Sequence, residues 1–191
     1  MFRAGCCERA MTSVPEQRSI RQLFSAAEIA ARTNTLAAEI SNAGYRELVV
    51  IPILTGGFVF AADLVRALHA SGVSAEIDFM ALSSYRDGTF SSGEIEVVQD
   101  IRANVSGRDV LVVDDIIETG RTLAFVRDRL LGRSARNVLI AALCDKPGKR
   151  IRAVEPDFVG FECPDEFVVG YGMDIGQTFR QLPFIGVVDE S

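Results

Sequence analysis

The residues with the most chemical content lie in one stretch, VLVVDDIIETGRTL, at positions 110–123. Four apolar residues predict a buried strand with two adjacent carboxylates, Asp114 and Asp115, at its carboxyl end. A short loop, Glu118-Thr119-Gly120-Arg121-Thr122, then opens a helix. Such a loop suits a phosphate. Gly120 lets the backbone approach closely, Thr119 and Thr122 add hydroxyl donors, and the helix start offers free N–H groups at the positive end of its dipole. The paired acids can accept hydrogen bonds from ribose hydroxyls or hold Mg²⁺. In a doubly wound sheet, ligands sit outside the carboxyl ends of the strands. The plainer reading has these acids only capping the helix. Two acids, an apolar pair and then acid-Thr-Gly is nonetheless more specific than a generic glycine-rich loop. It is not a Walker A loop, because no Gly-Lys-Ser/Thr occurs.

The flanking patterns supply the elements that would position this stretch. Residues 25–43 read as an amphipathic helix, with Ile29, Leu36 and Ile40 at helical spacing. Ser25 with Glu28 makes a capping box, and Gly44 a stop. ELVVIPIL predicts a buried strand that runs into TGG and a helix over FVFAADLVRALHASG. AEIDFMAL predicts a second strand and EIEVVQDI a half-exposed one. DVLVVDD and RNVLIAALCDK predict two more buried strands around a helix over IIETGRTLAFVRDRLLG. Strands alternating with helices imply parallel βαβ units. The last forty or so residues hold short strands, PDFVGF, EFVVGYGMD and LPFIGVV, between Pro, Gly and acidic turns. They are expected to form a small β-rich hood over the sheet.

Bulk properties exclude several classes. The 191 residues carry a net charge of −6, and the pI is near 4.9. That argues against a protein that chiefly grips nucleic acid, since such domains are usually basic. No apolar run is long enough to span a bilayer, and MFRAGCCERAMTSVPEQR has no secretory core. Met11 is an alternative start, and the first dozen residues are expected to be poorly ordered. Cys6 and Cys7 are adjacent, no CxxC appears, and the sole histidine, His69, cannot complete a common zinc set. Reduced thiols in a cytoplasmic protein and a surface histidine are the expectation.

VVDDIIETGRT resembles the phosphoribosyl-pyrophosphate-binding motif of the type I phosphoribosyltransferases. ILTGGFVFAADL (53–64), SSYRDGTFSSG (83–93), CDKPGKR (144–150) and the stretch from DFVGF to FRQLPFIG (157–186) narrow the resemblance to the hypoxanthine-guanine branch. It covers nearly everything from residue 20 to residue 188. The implied fold is α/β and type I phosphoribosyltransferase-like, a mainly parallel central sheet flanked by helices with a small C-terminal β-rich hood. The implied organisation is a disordered extension over 1–17 and a single domain over 18–191, its hood formed by the N-terminal part and roughly 150–191.

The resemblance also implies roles. Residues 118–122 would bind the 5′-phosphate, and Asp114 and Asp115 the ribose. Thr55, Gly56 and Arg180 would bind pyrophosphate, Arg180 through its guanidinium fork, with a cis peptide between Leu54 and Thr55. Lys146 would donate to the purine 6-oxo group, Phe167 would stack on the base, and Val168 would bind its edge. Asp174 would lie at the purine and, with Asp114 and Asp115, hold Mg²⁺. Ser84 and Tyr85 would sit on a lid, and Glu118 would take the proton from the purine. Taken singly each has a plain alternative: Phe167 as core, Lys146 as a solvated turn residue, Arg180 as partner to a surface acid. Three positions depart from the family's common pattern: Thr55 stands where Lys is usual, Asp114 where Glu is usual, and Glu118 where Asp is usual. The implied activity is Mg²⁺-dependent transfer of a phosphoribosyl group to a 6-oxopurine in purine salvage. The implied assembly is a homodimer or homotetramer, without nucleic acid or membrane partners. The alternatives are a non-catalytic nucleotide-sensing regulator on the same fold, a xanthine-preferring transferase, and a binding protein without catalysis.

Overall fold

A computed structural model describes residues 19–84 and 95–189. The chain enters through β1 (Ile20–Phe24) and turns into α1 (Ala26–Asn42). The capping box forms as the sequence predicts. The Glu28 amide donates to Ser25 Oγ at 3.3 Å, and the Ser25 amide donates to Glu28 Oε2 at 2.8 Å. Then come β2 (Val49–Leu54), α2 (Phe58–Ala70), β3 (Glu76–Ile77), β4 (Met80–Ser84) and β5 (Ile95–Gln99). The second half holds β6 (Asp109–Ile117), α3 (Arg121–Gly132), β7 (Asn137–Asp145), β8 (Phe158–Glu162), β9 (Val168–Val169) and β10 (Ile185–Val188). His69 is exposed in the last turn of α2.

Among the described residues, the main sheet has the order β5-β4-β2-β6-β7-β8, with the short β3 also pairing with β2. Every pairing in it is parallel except that of β4 with β5. Both faces are covered, so the central strands are apolar at nearly every position. Val50, Leu111, Val113, Ala141 and Leu143 face the core beneath α1 and α2. Their neighbours Val49, Ile51, Val110, Val112 and Ile140 face the core beneath α3. The two-residue alternation of side chains along a strand thus feeds two cores from one apolar run.

Two expectations about strands change. AEIDFMAL forms two short strands, not one, because Asp78 interrupts it. The Asp78 amide still donates to the Val50 carbonyl at 3.1 Å, but its carboxylate accepts the amides of Phe79 at 2.8 Å, Arg102 at 2.5 Å and Ala103 at 2.8 Å, so the next amide is held by a side chain. PDFVGF, assigned to the hood, instead forms β8 and extends the main sheet parallel to β7. It fits there because Gly160 lies against the Leu143 carbonyl, where a Cβ would come within 2.4 Å. Its outer carbonyls are also satisfied, since Arg32 of α1 donates to Val159 O at 2.6 Å and to Gly160 O at 3.0 Å. The small antiparallel sheet is β1-β10-β9. Its first strand, IRQLF, carried no clear alternation in the sequence.

The site-bearing end of the sheet is the carboxyl end, where β2, β6 and β7 deliver residues 55–57, 118–120 and 146. The opposite end is anchored by Asp109. Its buried carboxylate accepts from the Arg46 amide at 2.7 Å, Arg136 Nε at 2.9 Å and Asn137 Nδ2 at 2.8 Å. Burial alone would raise the pKa of Asp109, but these donors outweigh it and leave the pKa below the ordinary value. The stabilisation is therefore present above the unfolded aspartate pKa of about 3.9 and is lost as pH falls through the lower folded value. Asp109→Ala is expected to cost about 3 kcal/mol at pH 7. Denaturant titration of both proteins from pH 7 down to pH 3 should show the gap closing.

Candidate functional site

Asp114 is buried near the end of β6, and Asp115 beside it is half-buried. The strand runs on to Ile117, so the acids sit within its last turn of pleat and the loop begins at Glu118. Asp114 Oδ1 accepts the Asp115 amide at 3.0 Å, and Asp115 Oδ1 accepts the Ile116 amide at 2.8 Å. Burial pushes the Asp114 carboxyl well above the ordinary aspartate range, and the charge of Asp115 adds to this. Burial raises Asp115 as well, although hydrogen bonds and the Arg180 charge oppose it. Two carboxyls in this setting favour a shared proton, hydroxyl donors or a cation.

The turn after them closes a small cavity of about 190 Å³, lined by Asp114, Glu118, Thr119, Gly120 and Thr122 among others. Gly120 has φ 75°, a left-handed conformation that glycine adopts without strain. It is the N-cap of α3 and offers no side chain to cap the first turn, whose Arg121 amide donates to Thr119 Oγ1 at 3.4 Å. The Arg121 side chain is exposed and does not line this cavity.

On the other side of Asp115 lies the loop that follows β2. The Leu54–Thr55 peptide is cis. A Cβ on Gly56 would fall 1.9 Å from Asp115 Oδ2, so only glycine allows this approach. Thr55 is exposed. A Cβ on Gly172 would lie 2.2 Å from the Gly56 carbonyl, which places the stretch 172–174 directly on this loop. Arg180 then ties the corner together. Its Nη1 donates to Gly172 O at 2.6 Å, and its Nη2 pairs with Asp174 Oδ1 at 2.6 Å.

A second cavity, also about 190 Å³, joins Asp115, Ile116, Glu118, Lys146, Phe167, Val168, Met173 and Asp174. Lys146 is 4% exposed, and its Nζ donates to Glu118 Oε1 at 2.7 Å and to the Glu166 carbonyl at 2.8 Å. Phe167 is 53% exposed, with its ring at the rim, while Val168 is buried. The structure thus brings together the sequence-derived residues except four. Arg121 turns outward; Thr55 is exposed on the loop after β2 and lines neither cavity; Ser84 ends β4 and pairs with Ile95; and Tyr85 lies outside the described residues. The expected extension over 1–17 also lies outside them. Ile116 and Met173 line the site without having been singled out, since apolar residues in a strand and a turn read as core. The pairing of Glu118 with Lys146 was equally invisible, because it joins residues 28 apart.

Among the described residues, no cluster of three or more His, Cys, Asp or Glu side chains is placed to hold a metal ion, and no helix is long and apolar enough to cross a membrane. The acid pair nonetheless suits a divalent cation that arrives with phosphate oxygens. Mg²⁺ takes one or two carboxylates and fills its remaining positions with substrate and water.

A profile of the phosphoribosyl transferase domain family matches residues 19–175. The chain belongs to the phosphoribosyltransferase family. The hypoxanthine-guanine phosphoribosyltransferase of Streptococcus mutans is 41% identical over 177 residues, covering 92% of this chain and 96% of that protein. The crystal structure of a hypoxanthine phosphoribosyltransferase from Staphylococcus aureus superposes with a TM-score of 0.84 at 36% identity, over 94% of this chain and 97% of that one. A hypoxanthine-guanine phosphoribosyltransferase from Bacillus anthracis gives 0.83 at 38%, over 90% and 100%. Within the family, the chain falls in the hypoxanthine-guanine branch.

The carboxyl pair makes a stability prediction. Because the folded pKa is raised, the unliganded fold loses stability as pH climbs above the ordinary aspartate range. Asp114→Asn keeps the acceptor for the Asp115 amide and removes one charge. It is expected to raise Tm at pH 8 by about 2–4 °C while impairing turnover, and to raise it much less at pH 5. Differential scanning calorimetry at the two pH values checks this.

Proposed function

We propose that this chain transfers the 5-phosphoribosyl group of phosphoribosyl pyrophosphate to ring nitrogen nine of hypoxanthine or guanine, yielding IMP or GMP and pyrophosphate. The observation that carries the reading is the open turn at the start of α3 set beside the buried acids of β6. It offers a phosphate cradle and hydroxyl acceptors within one ribose phosphate's reach.

Residues 118–120 and Thr122 hold the 5′-phosphate, with Arg121 contributing its backbone. Asp114 and Asp115 receive the ribose hydroxyls. Thr55, Gly56 and Arg180 hold the pyrophosphate. Lys146 donates to the 6-oxo group of the purine, and a cation there discriminates against the amino group of adenine. Phe167 stacks on the base, and Val168 and Asp174 lie along its edge. In the reaction, the bond from the anomeric carbon to the pyrophosphate oxygen breaks, and its electron pair leaves with pyrophosphate. Ring nitrogen nine of the purine forms the new bond with its lone pair, and the proton carried on ring nitrogen seven passes to Glu118. Glu118 must first leave Lys146, so base binding exchanges an internal ion pair for two contacts to the purine. Asp114, Asp115 and Asp174 would hold Mg²⁺, which when bound offsets the charge of the departing group. The protein is proposed to act in the cytoplasm, consistent with the buried free thiols of Cys144 and Cys163. A homodimer or homotetramer is proposed from the family resemblance.

Purified protein with Mg²⁺, phosphoribosyl pyrophosphate and each of four radiolabelled purines tests the proposal. Product with hypoxanthine or guanine but not adenine is expected. Xanthine as the preferred base would revise the substrate, and no product with any base would reject the reading. Glu118→Gln is expected to lower kcat by about 10²-fold, with Glu118→Asp retaining most of it. Lys146→Met is expected to raise KM for the base and to leave KM for phosphoribosyl pyrophosphate within about 3-fold.

A further inference from the structure

The two peptide units leading into α3 can serve a phosphate only if their N–H groups face it, and the turn sequence alone does not decide which way they face. We propose that Arg150, with the strip 150–152 behind the turn, is the positioning residue that aims the Thr119 and Gly120 N–H groups into the cradle. The inference rests on the phosphate-cradle reading above and adds a residue outside the cavity to it.

The argument is one of peptide geometry. Arg150 Nη1 donates to the Glu118 carbonyl at 2.7 Å. The amides of Ile151 and Arg152 both donate to the Thr119 carbonyl at 3.0 Å. In a trans peptide the C=O and N–H point in opposite directions, and among the described residues the cis bond is at Leu54–Thr55. Drawing both carbonyls back toward 150–152 therefore turns the Thr119 and Gly120 N–H groups to the opposite side. Neither donates to a carbonyl among the described residues, and both residues line the cavity beside Asp114. A guanidinium on one end of a peptide also polarises it and strengthens the N–H at the other end.

Arg150 is itself held firmly. Its Nη2 bonds Asp145 Oδ1 at 2.5 Å, with the two side chains only 11% and 13% exposed. Its stem passes under Gly120, where a Cβ would lie 3.1 Å from Arg150 Cδ. Its Nε is buried without a hydrogen-bond partner, the Glu155 carboxylate lying 4.0 Å away. An arginine kept inside with one idle donor is costly, so surface solvation does not explain its position. Asp145 ends β7 in register with Ile117 of β6, and the Lys146 amide donates to Ile117 O at 3.0 Å. The same arm thus spans the loop bearing the purine lysine and the turn bearing the phosphate donors.

The test compares wild type, Arg150→Ala and Arg150→Lys. Arg150→Ala is expected to raise KM for phosphoribosyl pyrophosphate and the inhibition constant of IMP by at least about 10-fold. Inhibition by pyrophosphate, which uses the opposite loop, should stay within about 3-fold. Arg150→Lys, which can reach only one of the two acceptors, should fall between, and added guanidinium ion should restore part of the alanine variant's loss. Equal weakening toward IMP and pyrophosphate, or a change in Tm with no change in either constant, would overturn the role. If the alanine variant does not fold, the lysine variant carries the same comparison. Calorimetric titration with ribose 5-phosphate keeps this separate from the catalytic reading. Wild-type affinity retained in the variants would reject the role of Arg150 even if no purine is turned over.

Discussion

Two carboxyls side by side near the end of β6 set the terms for everything around them. Asp114 is almost without water and Asp115 half so, and charging both is unfavourable unless something positive or hydrogen-donating meets them. The surroundings are built to allow such a visitor and to keep other side chains away. Gly56 approaches Asp115 so closely that any Cβ would collide with it, and Gly172 lies on Gly56 in the same manner. Three segments distant in the chain therefore meet backbone to side chain and backbone to backbone. Arg180 brings a charge to this corner but is itself occupied with Asp174 and the Gly172 carbonyl.

The base side follows a different logic. Lys146 is nearly buried, and a buried ammonium needs a partner. Glu118 supplies it at 2.7 Å, and the Glu166 carbonyl supplies a second acceptor. The reach of the Glu118 side chain suits this bridge. One residue is thereby tied to neutralising Lys146 and, in the proposed mechanism, to receiving the purine's proton. The ring of Phe167 is exposed at the rim of the same cavity.

Much of this was legible in the chain because it depends on near neighbours. The capping box of Ser25 and Glu28 spans three residues, and the apolar runs of β2, β6 and β7 are long enough to require burial on both faces. The paired acids before a glycine turn and a helix mark a ligand-binding strand end. AEIDFMAL misled because the interruption comes from Asp78 reaching amides 24 and 25 residues away. PDFVGF misled because a five-residue edge strand looks the same in either sheet. Arg32, on a distant helix, supplies donors that make the main sheet's edge tolerable.

The division falls between spacing and orientation. The amino-acid sequence by itself determined which residue types stand at the ends of which strands, because strand and helix periods act over a few residues, and its motifs carry the resemblance to the family. Only the tertiary structure decided which way those groups face. Glu118 turns to Lys146, Arg121 turns out to solvent, and the Glu118 and Thr119 carbonyls are drawn back by residues 150–152. Each of those outcomes is set by contacts with segments distant in the chain or by exposure to water, and a hydrogen bond between distant segments has no period for a sequence to display.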